Sequence, residues 1–253
     1  MTAPVFLVPA GRLAGVDVGA RVLLDGPEGR HAVAVRRLAV GERVDLADGE
    51  GSVVEGTVAE VVGRDALAVD VLALRHEPEP PLRLVVVQAL PKGDRGELAV
   101  ETMTEVGVDV VVPWQASRSV TQWRGDRGAR ALERWRSTAR EAAKQARRAR
   151  VPQVPEAAAT KDVVARIAAT VAAGGLAAVL HEEAVAPLAS VPLPAAGDVV
   201  LVVGPEGGVS PEELEAFTAA GAVPLRLGPT VLRTSTAGVA ALSVLSAHAG
   251  RWG

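Results

Sequence analysis

The chain has 253 residues, 49% of them hydrophobic, and a formal net charge of −3 at pH 7. That length and apolar content supply one or two buried cores and exclude a disordered chain. The absence of cysteine excludes a disulfide scaffold and any thiolate metal site. Tyrosine is also absent and aromatic residues make up only 2%, so the cores must be built from Val, Leu and Ala, and an aromatic stacking platform for single-stranded RNA is not expected. No apolar run approaches the roughly 18 residues that span a bilayer. The opening Met1-Thr2-Ala3-Pro4-Val5 lacks a basic segment followed by an apolar one, so no signal peptide and a cytoplasmic, soluble protein are expected.

To about Leu74 the chain reads as short β segments separated by turns. Val22–Leu24, Arg43–Leu46, Ser52–Val58 and Leu67–Val71 are strand-like, with Asp25-Gly26, Asp48-Gly49 and Glu50-Gly51 between them. One short helix is predicted near Gly29 to Leu38. Several short strands in such a length suggest a small barrel. Three prolines, Pro78, Pro80 and Pro81, then stand within four residues, which neither a helix nor a central strand tolerates. The predicted organisation is a barrel over residues 1–75, a linker over 76–81 and a second domain over 82–253.

Beyond the linker, strands alternate with helices. Leu84–Leu90, Val110–Pro113, Leu176–Leu180, Val199–Val203 and Val223–Leu227 are nearly unbroken apolar strands, with a helix over Gly96 to Val106 and an apolar one over Ala237 to Ala247. Such a pattern indicates an α/β fold whose mostly parallel sheet is covered on both faces. Leu132, Trp135, Ala139, Ala142, Ala146 and Ala149 form one helical stripe, and Arg136, Arg140, Lys144 and Arg147 a separate charged one. Between Arg118 and Arg150 eleven basic residues face three acidic ones. A local excess of positive charge on an acidic body favours a polyanion such as RNA, although a solvated helix face is the plainer reading.

In open parallel sheets ligands bind beyond the carboxyl ends of the strands, and three of those ends are unusual here. Gly204-Pro205-Glu206-Gly207-Gly208 follows one strand and leads into a helix start, with Ser210 as N-cap, Pro211 in the first turn and Glu213 completing a capping box. Its glycines let backbone groups approach a ligand, although a tight turn would also need them. Gly228-Pro229-Thr230-Val231-Leu232-Arg233 follows another strand, with Thr234, Ser235 and Thr236 as candidate helix caps and Arg233 standing alone before an apolar segment. Leu180-His181-Glu182-Glu183 ends the third, without metal-ligand spacing, so no metal is expected.

The sequences Gly204–Gly208 and Leu227–Thr234 together resemble the paired signature of SPOUT-class RNA methyltransferases, more narrowly the ribosomal RNA small subunit methyltransferase E family. His31–Leu38 with Gly41 and Asp48–Gly51 is similar to that family's PUA-like barrel. Gln88–Asp94, Thr104–Val108 and Arg118-Ser119 match one of its blocks, and Arg134-Trp135, Glu141–Gln145 and Arg150–Pro152 another. The chain departs from the family pattern at Ser235, often Glu, at Thr230, often basic, and at Arg36, usually apolar.

The resemblance implies a C-terminal α/β domain with a deep trefoil knot, a PUA-like N-terminal barrel, and a homodimer that completes the site. It also implies S-adenosylmethionine as cofactor and methylation of N3 of a uridine in 16S ribosomal RNA, free or in the small ribosomal subunit, with no membrane or metal partner. The cofactor positions fall on Leu180, His181, Glu182, Gly204, Glu206, Gly207, Gly208, Leu227, Gly228, Leu232, Arg233 and Thr234. Arg233 is the expected catalytic residue, stabilising negative charge on the uracil ring, with His181 and Glu206 as candidates for the base. Arg37, Arg118, Arg136, Arg140, Lys144, Arg147 and Arg148 are the expected RNA contacts. Two rivals are a non-catalytic RNA-binding or ribosome-assembly protein, and a dinucleotide-dependent oxidoreductase, which the absence of GxGxxG disfavours.

Overall fold

The structure is a computed structural model that describes residues 3–252; Met1 and Thr2, part of the segment read for a signal peptide, lie outside them. The chain forms two compact units. The first takes the chain up to Glu79 together with Ala143–Val151, and the second takes Pro80–Ala142 and the chain from Pro152 onward.

The first unit holds β1 (Val5–Leu7), β2 (Arg21–Leu24), α1 (Gly26–Arg30), β3 (Arg43–Ala47), β4 (Ser52–Val62) and β5 (Ala66–His76), in a sheet ordered β1-β3-β4-β5-β2. All pairings are antiparallel except β1 with β3. Neighbouring residues of a strand point to opposite faces, and β4 uses both. Val54 and Val58 join Phe6, Leu46 and Leu67 in the main core, while Val53 turns the other way against Leu7, Ala47 and Ala149. That second small core is why residues near Ala149 belong to this unit, which the proline boundary in the sequence does not reveal. The expected helix near Gly29 starts earlier, at Gly26, and continues as a π-helical turn over His31–Val35. Gly29 is obligatory there, because a Cβ would sit 2.3 Å from the Asp65 carbonyl oxygen.

The second unit runs β6 (Leu82–Ala89), α2 (Arg95–Glu105), β7 (Val110–Gln115), α3 (Gly125–Gln145, its last turn counted with the first unit), β8 (Ala158–Ala159), α4 (Thr160–Ala172), β9 (Leu176–Leu180), β10 (Gly197–Val203), α5 (Pro211–Ala219), β11 (Val223–Leu225) and α6 (Thr234–His248). Its six strands lie in the order β11-β9-β10-β6-β7-β8 and every pairing is parallel. Leu84, Val86, Leu201 and Val203 pack on one face against Met103 of α2, Trp135 of α3 and Leu242 of α6. Val85, Val87, Val200 and Val202 pack on the other against Ile167 of α4 and Phe217 of α5. Both faces of β6 and β10 are therefore dry, which is why these strands are apolar without alternation.

The predicted capping box at α5 is present: the Ser210 hydroxyl accepts from Glu213 N at 3.2 Å and the Glu213 carboxylate accepts from Ser210 N at 3.1 Å. Glu213, only 4% exposed, does more than cap. It also accepts from Ser117 N at 2.7 Å and from the Thr160 hydroxyl at 3.0 Å, so one buried carboxylate fastens the end of β7 and the start of α4 to α5. The Thr234–Thr236 hydroxyls do not N-cap the last helix; α6 begins at Thr234, with Arg233 in the cap position and no side-chain cap.

Candidate active site

The carboxyl ends of β9, β10 and β11 open onto one cavity of about 480 Å³. Leu180, His181 and Glu182 line it from β9, Gly204, Glu206 and Gly208 from β10, and Leu227, Gly228, Leu232, Arg233 and Thr234 from β11 and the start of α6. Of the expected cofactor positions only Gly207 stands off the lining. Backbone bonds hold the loops in place: His181 N donates to Leu225 O at 3.1 Å, Arg226 N to Ala186 O at 2.8 Å and Leu188 N to Arg226 O at 2.9 Å. Gly228 has a φ of 140°, a conformation that disfavours a side chain.

A residue outside the expected site positions organises this site. Gln88, fully buried at the end of β6, donates from Nε2 to Ala89 O at 3.1 Å and to the Thr234 hydroxyl at 3.0 Å. The same hydroxyl donates to Gly204 O at 2.8 Å, so Gln88 and Thr234 set the first residue of the glycine-rich loop. Gln88 Oε1 has no partner. A polar residue within the apolar run Leu84–Leu90 is the signal in the sequence. Gly238 lets α6 come close at this point, since a Cβ there would lie 2.5 Å from Met103 Sδ.

Glu206 is tied down. Its Oε1 accepts from Lys92 N at 3.1 Å and from the Arg95 guanidinium at 3.3 Å. Burial pushes its carboxyl up, but its own and the Lys92 backbone N–H groups and Arg95 outweigh that and leave it below its ordinary value. A carboxylate stabilised in its charged form is a weak proton acceptor. His181 Nδ1 accepts from Glu183 N at 3.3 Å. Glu206, held in its charged form, is not poised to take a proton in this arrangement. Arg233 and Arg226 line the cavity, exposed, and pair with no carboxylate among the described residues.

Residues 78–246 match the model of the RNA methyltransferase domain, and residues 24–72 that of the RNA methyltransferase PUA domain. The chain belongs to the RNA methyltransferase family. It is 48% identical to ribosomal RNA small subunit methyltransferase E of Mycobacterium tuberculosis (strain CDC 1551 / Oshkosh), over 93% of this chain and 90% of that one. It is 30% identical to the protein of the same name from Bacillus subtilis (strain 168), over 88% of each. In structure it is similar to a Legionella pneumophila chain solved with the cofactor SAM bound, with a TM-score of 0.84, 27% identity and 98% of each chain covered.

For an RNA methyltransferase the placement of the basic residues matters, and it divides the expected set. In the second unit Arg118 donates from Nη1 to Gly207 O at 3.0 Å, so it braces the glycine-rich loop. Arg136 is held by Glu133 at 2.7 Å, by Glu156 at 3.1 Å and by Val154 O at 3.0 Å. Arg140 is exposed and has no carboxylate partner among the described residues. In the first unit Lys144 is buried, with Nζ 2.9 Å from Glu28 Oε1, Arg148 is half-buried, and Arg37 and Arg147 are exposed with φ of 55° and 56°. The charged stripe inferred from spacing is thus corrected. α3 ends at Gln145, before Arg147, and Lys144 turns inward to a neutralising carboxylate. The apolar stripe likewise loses Ala146 and Ala149, both beyond the helix end, the first exposed and the second packed in the small core with Leu7 and Val53.

Proposed function

We propose that this chain is an S-adenosylmethionine-dependent methyltransferase acting on N3 of a uridine in 16S ribosomal RNA, in the cytoplasm. The observation that carries the reading is the convergence of three strand-end loops on one cavity, with an unpaired arginine at its edge, in a chain of this family. The residues fit the cofactor. Glycines at 204, 208 and 228 leave backbone groups open to an adenine and ribose, Glu182 is an exposed carboxylate for hydroxyl or ammonium groups, and Arg226 is a free cation for a carboxylate. When bound, S-adenosylmethionine supplies a methyl group already activated as a sulfonium, so the protein's work is to position and to manage charge.

Uridine N3 carries a proton at neutral pH and becomes nucleophilic only as that proton leaves to solvent water. In this reading Arg233, on the cavity lining, stabilises the negative charge that develops on the ring oxygens. Gln88 and Thr234 position the loop at Gly204, and Arg118 positions Gly207. RNA is held by the PUA-type unit with Arg37 and Arg147, and by Arg140 in the second unit.

A homodimer is part of this reading. α6 carries no charged residue between Thr234 and Ala247, yet Val239, Ala240 and Val244 are only half-buried, and Val231 is 80% exposed beside the cavity. A helix with no charged residue on its half-exposed side calls for a second copy.

The test is to incubate the protein with small-subunit ribosomal RNA and methyl-labelled S-adenosylmethionine, and to identify the product nucleoside by mass spectrometry. N3-methyluridine is expected. Label on another base or atom, or no saturable cofactor binding by calorimetry, overturns the reading.

A further inference from the structure

A second cavity, of about 500 Å³, lies in the same unit and shares no lining residue with the first. Its walls come from the Leu90–Glu97 segment, the Val120–Trp123 loop and the first turns of α3. It is a built site. The Thr121 hydroxyl donates to Pro91 O at 2.8 Å and clamps the two loops together. The Trp123 ring meets that of Trp135 nearly at right angles, at 81° and 5.0 Å. Trp135 is buried and wedged against Gly96, where a Cβ would come within 2.6 Å of its ring, so it holds Trp123 in one orientation. Trp123, only half-buried, keeps part of its ring for the cavity.

The charge at this cavity is positive. Arg134 is paired with Glu97 at 3.1 Å. Lys92 and Arg127 also line the cavity, both exposed, and no carboxylate pairs with either among the described residues. A fixed aromatic ring in one cavity with two cations that no carboxylate neutralises matches a nucleotide of single-stranded RNA, with base against ring and phosphate against cation. Only one such ring is needed, so the scarcity of aromatic residues in the chain does not stand against it.

The cavity also has a defined relation to the active site. The segment from Lys92 to Glu97 walls both, Arg95 facing the first cavity and Lys92, Gly93, Gly96 and Glu97 the second, while Glu206 grips Lys92 N and Arg95. We infer that this second cavity holds an RNA nucleotide other than the one methylated, its base stacked on Trp123 and its phosphate on Lys92 and Arg127. It sets which uridine reaches the cofactor. The inference rests on the proposed methyltransferase function.

The experiment uses the full chain and small-subunit ribosomal RNA transcribed in vitro, with RNA affinity, tryptophan fluorescence and calorimetric S-adenosylmethionine binding read together. Trp123→Ala should weaken RNA binding roughly tenfold, and Arg127→Glu should weaken it and lower the salt dependence by about one phosphate contact. Both should bind S-adenosylmethionine as the wild type does, which also shows that they fold. Trp123→Phe should keep affinity within about threefold, since it retains a ring, while losing the fluorescence quench that RNA causes in the wild type. Equal RNA affinity and salt dependence in wild type, Trp123→Ala and Arg127→Glu, with methylation intact, overturns the nucleotide pocket and leaves the enzyme reading standing. A Trp123-dependent quench in a wild-type protein that transfers no methyl group supports the pocket and overturns the enzyme reading.

Discussion

The Thr234 hydroxyl donates to the Gly204 carbonyl oxygen across 2.8 Å and so fastens the first turn of α6 to the loop that leaves β10. Replacing it by the isosteric Val keeps the volume but takes from the buried Gln88 amide one of its two acceptors, leaving only Ala89 O, and from the half-buried Gly204 carbonyl its hydroxyl donor. Stranding buried polar groups costs about 1–3 kcal/mol. Thr234→Val should therefore melt earlier and bind S-adenosylmethionine less tightly, and Thr234→Ser should recover binding. Calorimetry at matched protein stability is the check; cofactor binding unchanged in the Val variant would remove Thr234 from the organisation of the site.

Arg233 carries a different burden, since it faces the cavity without a carboxylate to neutralise it. If it stabilises charge only as N3 gives up its proton, Arg233→Ala should lower kcat by about 100-fold and change cofactor affinity much less. Raising the pH toward the ionisation of uridine N3 should restore part of that loss, because the ring then arrives already charged. A variant whose deficit is the same at every pH would show that Arg233 binds rather than stabilises.

What the sequence discloses and what it hides divide along the range of the interactions. The Ser210-Pro211-Glu213 start of α5 is legible because its bonds span three residues, and β6 and β10 are legible because burial on both faces leaves no polar alternation. Gln88 could be quoted as part of a motif but not given a role, because its partner Thr234 is 146 positions away. Lys144 sits at the right spacing for a charged stripe, and only Glu28, 116 positions distant, shows that it points inward. The inner face of α4 is defined by Val163 and Ile167, which pack against β10 and Phe217 on strands and helices far along the chain.

The basic residues accordingly should not behave alike. Removing one partner of a buried ion pair costs about 3–5 kcal/mol, so Lys144→Ala, which leaves Glu28 without this partner, should lower the melting temperature by several degrees. Its effect on RNA binding at a temperature where it is folded should be small. Arg140→Ala should do the reverse, leaving the melting temperature in place while weakening RNA binding and reducing its salt slope by about one phosphate contact. Salt titrations of RNA affinity beside thermal melts separate the two; a shallower slope for Lys144→Ala at full stability would return that residue to the RNA surface.

Asp45 in the first unit gives a pH dependence of definite sign. Burial, followed by the neighbouring Glu55 carboxylate, raises its carboxyl above the ordinary aspartate value, and Arg43, Arg75 and Arg147 offset this only in part. Its Oδ1 is buried without a hydrogen-bond partner. The folded chain thus holds this proton to a higher pH than the unfolded chain does. Stability from Asp45 is fully present below the ordinary aspartate range, falls as pH rises toward the raised value, and stays lower once the group is ionised in both states. Asp45→Asn is neutral throughout, so it should equal the wild type in acid and exceed it near pH 7, by a few degrees at most, since the group is only partly buried. Melting curves from acid to neutral pH should therefore show the two proteins diverging as pH rises. Divergence in the opposite direction would mean that the three arginines, and not burial and Glu55, govern this carboxyl.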